Sequence, residues 1–165
     1  MCPHDDSDAS EREIVVSRTI EGPRRLVFLA YTDVKHLGQW WGPNGFSITT
    51  DSFEFRQGGV WSFIMHGPDG TDYPNHVVWQ EIVPLERIVL WHGSHPNDAQ
   101  AFTSIITFAD HGKGTRVTMR GVFPTKERRD EVVLKYGAIE GGQQTLAKLA
   151  SYVEGGGVSA TEDER

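Results

Sequence analysis

The sequence predicts an α+β domain. A curved antiparallel sheet of about six to seven strands wraps a long C-terminal helix, and two short helices lie between strands 1 and 2. Three observations carry this reading. Val132, Tyr136, Ile139, Gln143, Leu146, Ala150 and Val153 recur at steps of three and four, the spacing of one helix face. From Phe46 to Phe123 the apolar period changes to two, interrupted by Gly-rich turns. Between the first strand and this region, Pro23 and Asp33 each open a short helical pattern. A single helix over roughly 124–154 would be about 40–45 Å long at about 1.5 Å per residue. Only a whole sheet could cover its apolar side.

The elements follow in order. Residues 1–11 are polar and acidic and are expected to be a disordered tail; 12–154 form a single domain; 155–165, Gly-rich and then acidic, are expected to be a flexible tail. Ile14, Val16 and Ile20 mark a first strand over roughly 12–20. Leu26, Val27, Ala30 and Tyr31 supply the stripe of the first short helix, and His36, Leu37 and Trp40 that of the second, capped by Asp33. The apolar parity switches between Ile48 and Phe53, which predicts a bulge or bend near Thr49–Ser52. Trp61, Phe63 and Met65 share one face of the next strand. The strand over roughly 73–83 is apolar on both faces, so parity leaves the facing of Trp79 and Glu81 open. A strand from Arg87 to His92 follows. Phe102–Asp110 and Thr115–Phe123, joined by His111-Gly112-Lys113-Gly114, make the clearest hairpin. Thr125 is placed to cap the long helix and Gly155-Gly156-Gly157 to end it.

Composition narrows the function classes. The chain has 165 residues, 38% of them hydrophobic, enough for one domain with a substantial core. A net charge of -7 disfavours a nucleic-acid partner, which needs a basic face. No apolar run is long enough to span a bilayer, so no membrane insertion is expected. The single cysteine, Cys2, cannot form an internal disulfide. Cytoplasmic residence, as monomer or homodimer, is the expectation.

With these elements placed, the chain resembles the helix-grip superfamily that includes the START domains and the birch-pollen allergen. Within it, the chain resembles the subfamily related to the activator of the Hsp90 ATPase. The resemblance covers roughly residues 12–154. It is carried by Arg18 with Ile20, by Trp40-Trp41-Gly42-Pro43 with Gly45-Phe46, and by Arg56-Gln57-Gly58-Gly59. Further on it rests on Trp61-Ser62-Phe63 with Gly67-Pro68-Asp69-Gly70, on Glu81-Ile82-Val83-Pro84-Leu85-Glu86-Arg87, and on Gly114-Thr115-Arg116-Val117. The helix contributes Gly141, Gly142, Leu146 and Leu149. The resemblance implies binding of lipids, hormones or polyketides, cyclisation or hydrolysis of small molecules, or assistance to a chaperone. Relatives often carry Trp after the glycine pair, where this chain has Gln143.

The expected site is a cavity between sheet and C-terminal helix that holds a small apolar or aromatic molecule. Its walls are assigned to Trp61, Phe63, Met65, Phe102, Ile106, Phe108, Met119, Tyr136, Ile139 and Gln143, with Trp40 and Trp41 near the mouth. Ordinary core packing is the competing account of each tryptophan. Gly141 and Gly142 cost up to about 1 kcal/mol each inside a helix. Close approach of a strand or loop, or room for a ligand, would offset that. His66, His76, His92 and His95 fall near strand ends without metal-ligand spacing, so no metal and no cofactor is expected. No catalytic residue is assigned. An enzyme of cyclase, dehydratase or hydrolase type would need convergent polar groups, for which Tyr73, His76, Glu81 and Tyr136 are the candidates. A chaperone-ATPase-stimulating interaction protein would instead show an exposed apolar patch and no open cavity.

Overall fold

The computed structural model describes residues 9–159. Residues 1–8 and 160–165, including Cys2 and most of both expected tails, lie outside them. Strands β1 (Glu13–Ile20), β2 (Ser47–Phe53), β3 (Val60–His66), β4 (Asp72–Val83), β5 (Arg87–Gly93), β6 (Phe102–His111) and β7 (Gly114–Val122) form one sheet in the order β1-β7-β6-β5-β4-β3-β2. Every neighbouring pair is antiparallel. Helices α1 (Arg24–Leu29) and α2 (Val34–Trp40) fall between β1 and β2, and α3 (Lys126–Tyr136) and α4 (Ala138–Glu154) follow β7. The fold is the expected one: α+β, with a seven-stranded open sheet curved around helices.

Local chemistry explains the boundaries. The Asp33 carboxylate accepts from the Lys35 amide (2.9 Å) at the start of α2, and the Thr125 hydroxyl accepts from the Arg128 amide (3.0 Å) at the start of α3. Each satisfies an orphan helix donor. The register of β2 against β3 shifts between Thr50 and Ser52, inside the stretch where the apolar parity switches. A second bulge lies between Trp79 and Glu81 in β4. It turns Val77 and Trp79 inward and then lets Ile82 reach the core, so both sequence faces look apolar. Glu81 is paired with Arg87 Nε at 2.6 Å.

The helical region differs from expectation in one respect. It is two helices, not one. Gly137 adopts the left-handed conformation (φ 60°, ψ 42°) and serves as both the C-cap of α3 and the N-cap of α4. Glycine occupies that conformation without steric penalty, so it ends a helix that the apolar spacing alone would continue. Helix α4 buries Leu146, Leu149, Ala150 and Val153 and lies chiefly along β1. In α3 only Val132 is buried, while Leu134 is 86% exposed. Beyond Gly155 the chain is tied down. The Gly157 amide donates to Tyr152 O (2.8 Å), and Val158 enters the core at 3% exposure. At the other end, Ala9–Glu11 form one 3-10 turn.

The core is concentrated under α1 and α2. Phe28 and Tyr31 meet Phe108 edge-on (5.6 and 5.4 Å between centroids), and Tyr31 meets Trp40 at 4.8 Å. Trp61 stacks on Phe63 at 3.9 Å. Among the described residues the Tyr31 hydroxyl and the Trp79 indole N–H are buried without a partner, and burial pushes the Tyr31 phenol up.

Candidate functional site

Helix α1 packs on β6 and β7 and α2 on β2, while α3 and α4 lie along β1. That division decides which aromatic residues are core and which are wall. Trp40, Trp61, Phe63, Ile106 and Phe108 are all buried in the core cluster. The Trp40 indole donates to Ala30 O (3.1 Å), and that of Trp61 donates to Thr50 Oγ1 (3.1 Å). None of the five reaches open space. Ile139 packs against the core from α4.

Open space lies instead over β1, β7, β6 and β5, where cross-strand register assembles small side chains. Leu90 pairs with Ser104, Ser104 with Gly121, and Gly121 with Ile14. This row crosses four strands with almost no bulk at its centre. Gly142 and Ala138 of α4 stand over it. The result is three adjoining lobes that share Phe102. An inner lobe of about 250 Å³ is lined by Trp41, Met65, Leu90, His92, Phe102, Ser104, Met119 and the first turns of α4. A second lobe of about 160 Å³ lies against Ile14, Val16, Gly121 and Phe123. The outer lobe, about 520 Å³, opens between Phe46, Tyr73, Tyr136 and Glu140. The outer lobe alone has the volume of a small-molecule site, and the two smaller lobes adjoin it at Phe102.

Of the sequence-assigned wall residues, Met65, Phe102, Met119 and Tyr136 line this space, as does Trp41, which was expected near the mouth. Gln143 does not. It is exposed, and its neighbour Gln144 lines the outer lobe. At about 100° per residue the buried stripe of α4 is centred near Gly142, and Gln143 falls about 70° around the helix from that centre. The glycine pair has a packing reason as well. A Cβ at Gly142 would stand 3.2 Å from Val16 Cγ2, and one at Gly141 would stand 3.3 Å from Pro43 Cγ.

The loop bearing Trp41 and Pro43 is fastened to α4. Lys148 Nζ donates to Gly42 O (3.2 Å) and Pro43 O (3.4 Å), and the Asn44 amide donates to Gln144 Oε1 (3.1 Å). Burial lowers the Lys148 pKa. So held, Trp41 meets Trp61 edge-on at 4.9 Å and separates core from cavity.

His92 is the polar residue that sequence reasoning left unassigned. It lines both the inner and the outer lobe, with Phe102 at 5.0 Å and Trp41 and Phe63 at 6.2 Å between ring centroids. Its Nε2 is 2.7 Å from Asn75 Oδ1. Burial pushes the imidazole down to about 4, because the charged form loses its hydration. The signal available in the sequence was the alternation in β5, which puts His92 on the same face as Leu90 and Ile88.

Tyr73 and Tyr136 stand at the outer lobe. His76 instead meets the Trp91 ring edge-on (6.1 Å), and Glu81 is held by Arg87, so the four candidates for catalysis do not converge. His66 bonds to Asp72 and Thr49. Among the described residues no group of three or more His, Cys, Asp or Glu could hold a metal ion. No helix among the described residues is long and apolar enough to cross a membrane.

Solved structures share this architecture. A crystal structure of a protein from Nitrosomonas europaea superposes with a TM-score of 0.79 at 22% identity, covering 88% of this chain and 96% of that one. A solution structure of a protein from Arthrobacter aurescens gives 0.81 at 19% identity, covering 97% of each. A crystal structure of a protein from Mycobacterium smegmatis gives 0.79 at 24% identity, covering 91% and 96%. No curated protein matches the sequence. The model of one protein family matches residues 21–154, from the turn after β1 to the last residue of α4. With that match spanning the short helices, most of the sheet and the helices that roof the cavity, the chain belongs to the activator of Hsp90 ATPase homolog 1-like proteins.

Proposed function

We propose that this protein binds a small, mostly apolar molecule in the space between the sheet and the α3–α4 pair. The observation that carries the reading is the inner lobe. It is roofed by Gly141, Gly142 and Ala138, walled by Trp41, Met65, Phe102 and Met119, and lined by no charged side chain. An apolar enclosure with a few fixed polar groups is the common form of a small-molecule site. The helix-grip architecture of the family is compatible with this use. Catalysis is less well supported, because the polar candidates are dispersed.

A thermal-shift screen with lipids, steroids and aromatic polyketides tests the proposal. A ligand at about 100 times its dissociation constant adds about 2.7 kcal/mol, which raises the Tm by roughly 5–10 °C for a chain of this size. Ser104→Phe, which fills the row of small side chains, is expected to abolish that shift while the protein stays folded. A ligand whose shift survives Ser104→Phe unchanged binds elsewhere, and the proposal fails.

A further inference from the structure

The inner lobe is apolar except for the side chains of His92, Ser104, Thr145 and Tyr136, some of which are already engaged. The Thr145 hydroxyl donates to Gly141 O at 2.9 Å. At the rim of the outer lobe, Gln144 Oε1 accepts from the Asn44 amide. The His92 ring is different. Asn75 Nδ2 donates to Tyr73 O at 2.9 Å, which fixes the orientation of the Asn75 amide and turns its Oδ1 toward His92. A carboxamide oxygen only accepts, so the proton of the imidazole sits on Nε2. In the neutral ring Nδ1 is then a lone-pair acceptor. It takes no partner among the described residues, yet it is not sealed from solvent. Three aromatic rings surround the imidazole and hold its plane.

We propose that Nδ1 of His92 accepts a hydrogen bond from the bound molecule, and that the cavity therefore selects neutral aromatic compounds bearing a hydroxyl of phenol or enol type. The inference rests on the binding role proposed above and names the ligand class for it. Charge supports neutrality. Neither the inner nor the outer lobe has a lysine or arginine in its lining, and the outer one carries Glu140. A carboxylate ligand would lose its hydration without gaining a cation. A ligand lacking a donor would leave a desolvated acceptor unpaired, which a site built around a hydrogen bond penalises.

The test uses three probes of one shape on the intact chain: 2-naphthol, 2-methoxynaphthalene and 2-naphthoate. Their affinities are measured by titration against Trp fluorescence, for wild type and for His92→Phe. The expectation for wild type is naphthol bound roughly threefold to tenfold tighter than the methoxy compound, with naphthoate weakest. In His92→Phe the naphthol preference falls to about one. A second readout needs no variant. Long-range ¹H–¹⁵N NMR of the wild-type imidazole is expected to show a protonated Nε2 and a bare Nδ1 whose resonance shifts on adding naphthol. Equal binding of naphthol and its methyl ether, tightest binding of naphthoate, or a proton on Nδ1 would overturn the selection by His92 while leaving the cavity a binding site. Binding of none of the three probes would overturn both.

Discussion

Acid should destabilise this fold through one ring in a way that can be isolated. The His92 imidazole has its pKa pushed down to about 4 by burial, against 6.5 for an unperturbed histidine. A histidine with a depressed folded-state pKa binds fewer protons folded than unfolded between those two values. Stability is therefore full above about pH 6.5 and is lost as the pH falls toward 4. A displacement of this size corresponds to about 3 kcal/mol at 1.36 kcal/mol per unit. His92 is only partly buried and solvent screens part of this, which leaves about 2 kcal/mol. The other titratable groups lining these lobes are Tyr73, Tyr136 and Glu140. They, like every other group in the chain, are common to wild type and His92→Phe. The assay is urea unfolding of both proteins from pH 7.5 to 4.5. His92→Phe lowers stability at neutral pH by leaving Asn75 Oδ1 without its donor, and this offset does not vary with pH. The difference between the curves should shrink by about 2 kcal/mol on acidification, equivalent to roughly 4–8 °C in Tm. Parallel curves would refute the claim that this ring is held neutral by burial.

Two further substitution experiments separate the packed half of the molecule from the open half. Trp61→Ala should cost about 3–5 kcal/mol in chemical denaturation, as expected for a fully buried aromatic, yet leave the affinity of any cavity ligand within about twofold below its melting point. Phe102→Ala, which removes the residue shared by all three lobes and its stack on Phe123 at 4.9 Å, should cost about 1–2 kcal/mol of stability and most of the ligand affinity, read by the same fluorescence titration. A third substitution tests the join between β1 and β7. Gly114→Ala places a Cβ 2.4 Å from Ile20 O. Because the obstacle is backbone, we expect a loss of at least about 1–3 kcal/mol in thermal unfolding.

Much of the fold is legible because local rules and global packing agree. The capping residues Asp33 and Thr125, the parity switch before Phe53 and the His111–Gly114 turn each act through near neighbours in the chain. Gly137 was harder to read. The apolar spacing runs across it from Val132 through Tyr136 to Ile139, so the pattern continues where the helix does not. Extending a straight helix through that break places Gln143 inside, whereas the stripe of α4 itself centres on Gly142. The anchoring of Val158 was illegible for a related reason. It depends on a turn back over Tyr152 that glycine composition suggests but does not direct.

Which of the expected residues wall the cavity could not be read from the chain, and the reason is physical. Large aromatic side chains in the sequence suggest walls, but a side chain becomes wall or core according to what packs opposite it. Trp61, Phe63 and Phe108 face Phe28, Tyr31 and Trp41 and are sealed. The space exists where residues are small, and Ser104 and Gly121 become one gap only because antiparallel register sets them side by side. Gly142 lies over that gap from an element more than twenty residues later. Its own close approach to Val16 keeps the roof low at one edge, while Pro43, braced by Lys148, closes the other. Void and close packing are thus produced by the same glycines. Filling them would be expected both to shift the helix off β1 and to close the lobe, and so a cavity-blocking experiment is better placed at Ser104, which bears on the space and not on the seat of α4.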